Sequence, residues 1–189
     1  MTATFPGLPS HRDNAEARGH LVLVGLPGAG KTTLGRELAT RLGRKFIDFD
    51  AEIEKRDGRT VAELFASEGE DFFRRSERAL TEEMKESPPA VLSPGGGWMA
   101  DPENVARLRP PARLVYLRVS PEVALTRMGE GVAARPLLNR HDPAGELRRL
   151  YAERDASYMD ADLVVDTEVI GMSELADMIL EYVAAVELA

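Results

Sequence analysis

The stretch Leu21-Val22-Leu23-Val24-Gly25-Leu26-Pro27-Gly28-Ala29-Gly30-Lys31-Thr32-Thr33-Leu34 decides how the rest of the chain is read. Four apolar residues enter a glycine-rich turn, the turn closes on Gly30-Lys31-Thr32, and Leu34, Leu38 and Leu42 follow at four-residue spacing. The first part reads as a buried strand and the last as an amphipathic helix. Between them lies Gly25-x-x-x-x-Gly30-Lys31-Thr32, a phosphate-binding pattern in the strand–turn–helix context it requires. Backbone N–H groups can wrap a triphosphate only where side chains are absent and unusual φ values are open. The helix that follows presents its N-terminus to the same anion. Lys31 brings a compact positive charge to the outer phosphates, and Thr32 offers a hydroxyl to Mg²⁺.

Outward from this turn, short apolar runs alternate with helical patterns. The runs are Leu21–Val24, Lys45–Phe49, Ala90–Ser93, Arg113–Val119 and Asp162–Val165. Such alternation specifies an α/β fold with a parallel sheet. Helix starts are marked by Asp101-Pro102-Glu103, Ser120-Pro121-Glu122 and Asp142-Pro143. Thr60-Val61-Ala62-Glu63 is a capping box, Gly43 is placed to end the first helix, and Pro110-Pro111 stops another. Two segments break the alternation. Asp50 to Pro89 is too long for one crossover helix and reads as helices over Asp50–Arg56, Thr60–Ser67 and Glu70–Glu86. Gly129-Glu130-Gly131-Val132-Ala133-Ala134-Arg135-Pro136 is glycine-rich and closed by a proline, which suits a mobile lid.

The chain has 189 residues, 43% hydrophobic and 30% charged, as expected of one globular domain large enough to bury a core. Its formal net charge of −8 argues against nonspecific nucleic-acid binding. The absence of cysteine excludes disulfides, thiolate metal sites and cysteine nucleophiles, and His11, His20 and His141 have no metal-ligand spacing. Residues 1–19 lack the apolar segment of a signal peptide and read as a flexible leader to a domain over residues 20–189. No apolar run approaches the ~20 residues of a membrane span, so a cytoplasmic location is expected.

A triphosphate loop needs a carboxylate for its metal, usually an Asp ending a neighbouring strand. Ala90–Ser93 supplies none, whereas Asp48-Phe49-Asp50 closes the second run, making Asp48 the candidate. Alternation along an extended chain sends Asp48 and Asp50 to one side, so Asp50 is expected to reach an acceptor hydroxyl. The competing reading is that Asp50 caps a helix beginning at Ala51. Ser93-Pro94-Gly95-Gly96-Gly97 offers either a close backbone approach to a ligand or a permissive turn. Arg74 and Glu77, three residues apart, read alone as a solvated charged face, and Arg154 beside Glu153 and Asp155 invites the same reading. Arg135 in the lid is placed to stabilise transferred phosphoryl charge. Arg127 lies where it could interact with the end of the helix before the lid.

Taken in order, these residues resemble the shikimate kinase family from about Val22 to Thr167. The markers are the loop over Gly25–Thr32, Phe49 between Asp48 and Asp50, Phe73-Arg74-Arg75 with Glu77, Gly95-Gly96-Gly97, Arg135-Pro136-Leu137-Leu138, and Arg154 with Tyr158. The resemblance implies a nucleoside-monophosphate-kinase-like P-loop fold. Its expected form is a three-layer α/β/α arrangement around a five-stranded parallel sheet of order 2-3-1-4-5, with a substrate-binding insertion at about residues 50–88 and a lid at about 129–141. It further implies transfer of the ATP γ-phosphoryl group to the 3-hydroxyl of shikimate by a monomer that engages neither nucleic acid nor membrane. By position, Gly28, Ala29, Gly30, Lys31, Thr32, Thr33, Arg127 and Arg135 would hold ATP, with Arg127 near adenine. Thr32 and Asp48 would hold Mg²⁺. Asp50, Arg74, Gly95, Gly96, Gly97 and Arg154 would hold shikimate, with Lys31, Asp50 and Arg135 as the catalytic groups. The rivals are a kinase of another small polyol, such as gluconate, or of a nucleoside monophosphate, and a ligand-binding regulator without catalysis.

Overall fold

Five short strands pair into one all-parallel sheet: β1 (Leu21–Val24), β2 (Lys45–Asp48), β3 (Ala90–Ser93), β4 (Arg113–Arg118) and β5 (Leu163–Asp166). The structure is a computed structural model that describes residues 19–132, 135, 137, 138 and 142–187. The leader to residue 18 and the lid positions 133, 134, 136 and 139–141 therefore lie outside the described residues. The strand order is β2-β3-β1-β4-β5, as the resemblance implies. β1 sits in the centre, with Leu21 beside Arg113 on one side and Val91 on the other. A strand covered on both faces must be apolar throughout, and all four residues of β1 are buried.

Helix α1 (Lys31–Leu42) follows the phosphate loop and lays Leu34, Leu38 and Ala39 into the core. Burying each leucine contributes about 1.5–3 kcal/mol. Gly43 ends the helix in the left-handed region, its N–H donating to Ala39 and Thr40 carbonyls. The segment between β2 and β3 forms α2 (Phe49–Asp57), α3 (Val61–Glu68) and α4 (Glu70–Lys85). Thr60 makes the expected reciprocal capping box with Glu63.

One expectation changes here. β2 ends at Asp48, and Asp48 rather than Asp50 is the cap of α2, accepting from the Ala51 N–H at 3.4 Å. Phe49 is fully buried, so the chain turns inward and becomes helical at that residue. Asp50 thus projects from the first turn of a helix. It reaches the same cavity as Asp48 through a helical turn, not through strand alternation.

Beyond β3 come a single 3-10 turn over Trp98–Ala100, then α5 (Pro102–Leu108), capped by Asp101. β4 leads to α6 (Pro121–Met128), capped by Ser120, and to a 3-10 turn over Gly129–Val132. α7 (Pro143–Tyr158) begins at the Asp142 cap, and α8 (Met172–Glu187) follows β5. The carboxyl ends of β1, β2 and β3 lead to Gly25, Asp48 and Ser93, the crevice position where open parallel sheets take ligands. Among the described residues no helix is long and apolar enough to cross a membrane.

Candidate active site

Around the loop between β1 and α1 lies a cavity of about 380 Å³, bordered by Gly28, Gly30, Lys31, Thr32, Thr33 and Asp48 among others. Gly30 precedes α1 at φ 95°, a conformation that side-chain-bearing residues rarely adopt. Lys31 Nζ donates to the carbonyls of Gly25 and Leu26 at 2.8 and 2.9 Å. Burial pushes its ammonium down to about 8, Arg135 pushes in the same direction, and Asp50 and Asp48 oppose. Thr32 Oγ1 donates to Asp48 Oδ2 at 2.9 Å. Ala29 is buried off the cavity wall, and its N–H donates to Leu26 O at 3.2 Å, so of the expected nucleotide contacts it is the one not presented to the cavity. Arg127 reaches the wall, but it is anchored across the sheet by Thr167 Oγ1 and Thr167 O at 2.8 and 2.6 Å.

A second cavity of about 400 Å³ opens beside the first and shares Pro27, Asp50, Gly95, Gly96, Gly131 and Arg135 with it. Its polar side holds Asp50, Glu54, Arg74 and Arg154, and its apolar side holds Val61, Phe65, Phe73, Leu137, Leu138 and Leu150. Asp50 stands where the two cavities meet. Its Oδ1 is buried without a hydrogen-bond partner among the described residues. Burial raises its carboxyl above the ordinary range, Asp48 adds to that, and Lys31 and Arg135 oppose.

Arg74 and Glu77 overturn the solvated-face reading. The pair forms on α4, but Glu77 is fully buried and the Arg74 side chain is only 21% exposed. The carboxylate accepts from Arg74 through Oε2, while Oε1 is buried without a hydrogen-bond partner among the described residues. Burial pushes the Glu77 carboxyl up, against the pull of Arg74. Arg74 also donates to Glu70 at 2.8 and 3.1 Å. A buried ion pair is weak evidence of stabilisation, because desolvation offsets its Coulomb gain. Here it fixes a guanidinium at a cavity wall.

Gly95, Gly96 and Gly97 are explained by close approach, since none has positive φ. A Cβ on Gly95 would lie 2.6 Å from Glu77 Oε1 and 3.2 Å from Asp50 Oδ1, and one on Gly97 2.6 Å from Arg74. The turn after them is anchored by Trp98, which is fully buried and donates through Nε1 to Thr81 Oγ1 at 2.8 Å. Thr81 lies one turn beyond Glu77 on α4 and donates to its carbonyl, so the glycine wall and the Arg74–Glu77 pair share one support.

Sequence reasoning missed Glu54 and Met172 as lining residues. Glu54 carried a usable signal, being four residues from Asp50 on one face of α2. Met172, at the start of α8, carried none.

The phosphate loop at the strand ends and an adjoining cavity that shares a buried carboxylate define a nucleotide-dependent small-molecule phosphotransferase. The sequence profile of the shikimate kinase family matches residues 27–184, and the chain belongs to that family. It is 40% identical over 163 residues to the shikimate kinase of Pelotomaculum thermopropionicum, covering 86% of this chain and 94% of that one. It is 44% identical over 162 residues to that of Thiobacillus denitrificans, covering 84% and 88%. The shikimate kinase from Acinetobacter baumannii, solved in complex with shikimate, superposes with a TM-score of 0.86 at 36% identity, covering 94% of this chain and 99% of that one.

Proposed function

We propose that the protein is an ATP-dependent shikimate kinase, transferring the γ-phosphoryl group to the 3-hydroxyl and giving shikimate 3-phosphate and ADP. The observation that carries this reading is Asp50 Oδ1, buried at the junction of the two cavities without a hydrogen-bond partner among the described residues. ATP occupies the loop cavity, its phosphates held by the N-terminus of α1 and by Lys31. Shikimate occupies the second cavity, its carboxylate met by Arg74 and Arg154, whose planar forks suit that anion. Asp50 orients the 3-hydroxyl. The hydroxyl oxygen forms a bond to the γ-phosphorus as the bond to the β–γ bridging oxygen breaks, and its proton passes to Asp50. ADP leaves with the bridging oxygen. Arg135, lining both cavities, balances charge on the group in transit.

A Mg²⁺ ion fits the hard oxygens of Thr32 and Asp48, which already lie 2.9 Å apart. Few protein ligands are expected where phosphates complete the shell. Bound there, the ion would neutralise phosphate charge. The reading takes the segment at about residues 50–88 as the shikimate-binding insertion, about 129–141 as the lid that excludes water, and the whole as a monomer in the cytoplasm acting on small molecules.

The test is ADP release with ATP, Mg²⁺ and a panel of shikimate, quinate, gluconate, AMP and CMP. Turnover with shikimate supports the reading, and turnover with a nucleotide acceptor alone sinks it. Arg74→Ala is expected to raise KM for shikimate about 10–100-fold, the loss of a charge-assisted hydrogen bond worth roughly 1.5–3 kcal/mol, with KM for ATP unchanged. A variant that loses only ATP affinity would remove Arg74 from the carboxylate site.

A further inference from the structure

Tyr158 ends α7, four residues beyond Arg154 and on the same helical face. Its side chain is 1% exposed, and its hydroxyl donates to the carbonyl oxygen of Gly96 in the acceptor-cavity wall. Burial raises the pKa of that hydroxyl, and the neighbouring Arg154 guanidinium opposes the rise. A Cβ built on Gly96 lies 3.1 Å from Arg154 Nη1 and 3.4 Å from Tyr158 Oη, so guanidinium, hydroxyl and backbone meet at one point. Behind it, the Tyr158 ring packs on Tyr116 with centroids 4.9 Å apart, and the Tyr116 hydroxyl donates to Asp155 at 2.9 Å. One phenol therefore joins two parts of the acceptor cavity that come from distant stretches of chain.

We infer that Tyr158 is a positioning residue for the acceptor carboxylate: its hydroxyl holds Arg154 against the Gly96 wall in the orientation that receives the anion. This rests on the shikimate-kinase reading above. A phenol is suited to the task because its one oxygen can donate to a carbonyl and still turn lone pairs to a neighbouring guanidinium. Its rigid ring, packed in the core, fixes that oxygen more firmly than a long flexible side chain could. An arginine carries considerable rotamer entropy, so holding it in place before the ligand arrives favours binding. Tyr158 touches no reacting atom and acts through Arg154.

The experiment compares Tyr158→Phe, Arg154→Lys and the double variant in steady-state kinetics with shikimate and ATP, alongside Tyr116→Phe. The last removes a neighbouring buried hydroxyl that faces neither cavity and reports what a purely structural loss does. Tyr158→Phe is expected to raise KM for shikimate about tenfold, the effect of one lost hydrogen bond, with kcat and KM for ATP within about twofold. The double variant is expected to match Arg154→Lys alone, since residues acting through one contact are not additive. Tyr116→Phe is expected to lower the melting temperature and leave both KM values in place. Multiplying effects in the double variant, or equal rises in both KM values for Tyr158→Phe, overturn the inference. Should Tyr158→Phe fail to fold, Tyr158→His retains a ring donor, and a normal KM for shikimate with Arg154→Lys still intact in its penalty decides for the inference, an unrestored KM against it. Absence of shikimate turnover in the unmodified protein would instead remove the functional reading itself.

Discussion

Asp50→Asn is expected to lower kcat for shikimate about 10²–10⁴-fold, the usual contribution of a positioned acid–base group. The substitution keeps the shape of a side chain at the meeting point of two cavities, so packing around Phe49 and the α2 turn is preserved. What is lost is an acceptor for the hydroxyl proton. The raised carboxyl makes the sign of the pH dependence plain. Asp50 must be ionised to accept, so activity falls as pH drops through a pKa lying above the ordinary carboxylate range. In kcat/KM for shikimate that acidic limb should be present in the unmodified protein and missing in the variant. An unchanged kcat would take Asp50 out of the proposed step.

Lys31→Met is expected to reduce kcat by about 10²–10³, as for removal of one preorganised group facing transition-state charge. The loop loses its only full side-chain charge between Gly25 and Thr32. The Gly25 and Leu26 carbonyls lose their donor as well, so some loss of ATP affinity accompanies the fall. A second reading comes from pH. Lys31 titrates near 8 because it is buried, and a lysine with a lowered pKa is charged below that value and neutral above it. Phosphate binding requires the charge, so kcat/KM for ATP should fall above about pH 8. The limb should vanish in Lys31→Met. A profile identical in both proteins would show that another group sets it.

The phosphate loop and the five strands were legible because each depends on local composition: glycines where backbone must wrap an anion, apolar runs where strands are covered on both faces. Helix starts at Thr60, Asp101, Ser120 and Asp142 were legible for the same reason, each being a side chain satisfying nearby N–H groups. The boundary at Asp48–Asp50 is ambiguous in the sequence, because two aspartates can each cap and only the burial of Phe49 selects the first. Arg74 and Glu77 looked like a surface pair because spacing on a helix says nothing about which side another element covers. Their burial follows from the glycine wall and Trp98, far along the chain. Asp50 and the glycine run stand out in the sequence on their own, whereas Arg74 and Arg154 are assigned to the acceptor only by the family resemblance. Their convergence on one cavity is a tertiary fact that no single stretch encodes. Ala29 shows the opposite limit, since motif membership placed it at the nucleotide while its N–H is turned to Leu26.

The indole that braces the glycine wall is the only tryptophan in the chain. It is fully buried, one residue past Gly97, with its ring nitrogen committed to Thr81. Intrinsic emission excited at the indole band therefore comes from a single reporter built into the acceptor side. A change in the packing of that wall should appear in the emission of the unlabelled protein, with no tryptophan signal from the nucleotide loop.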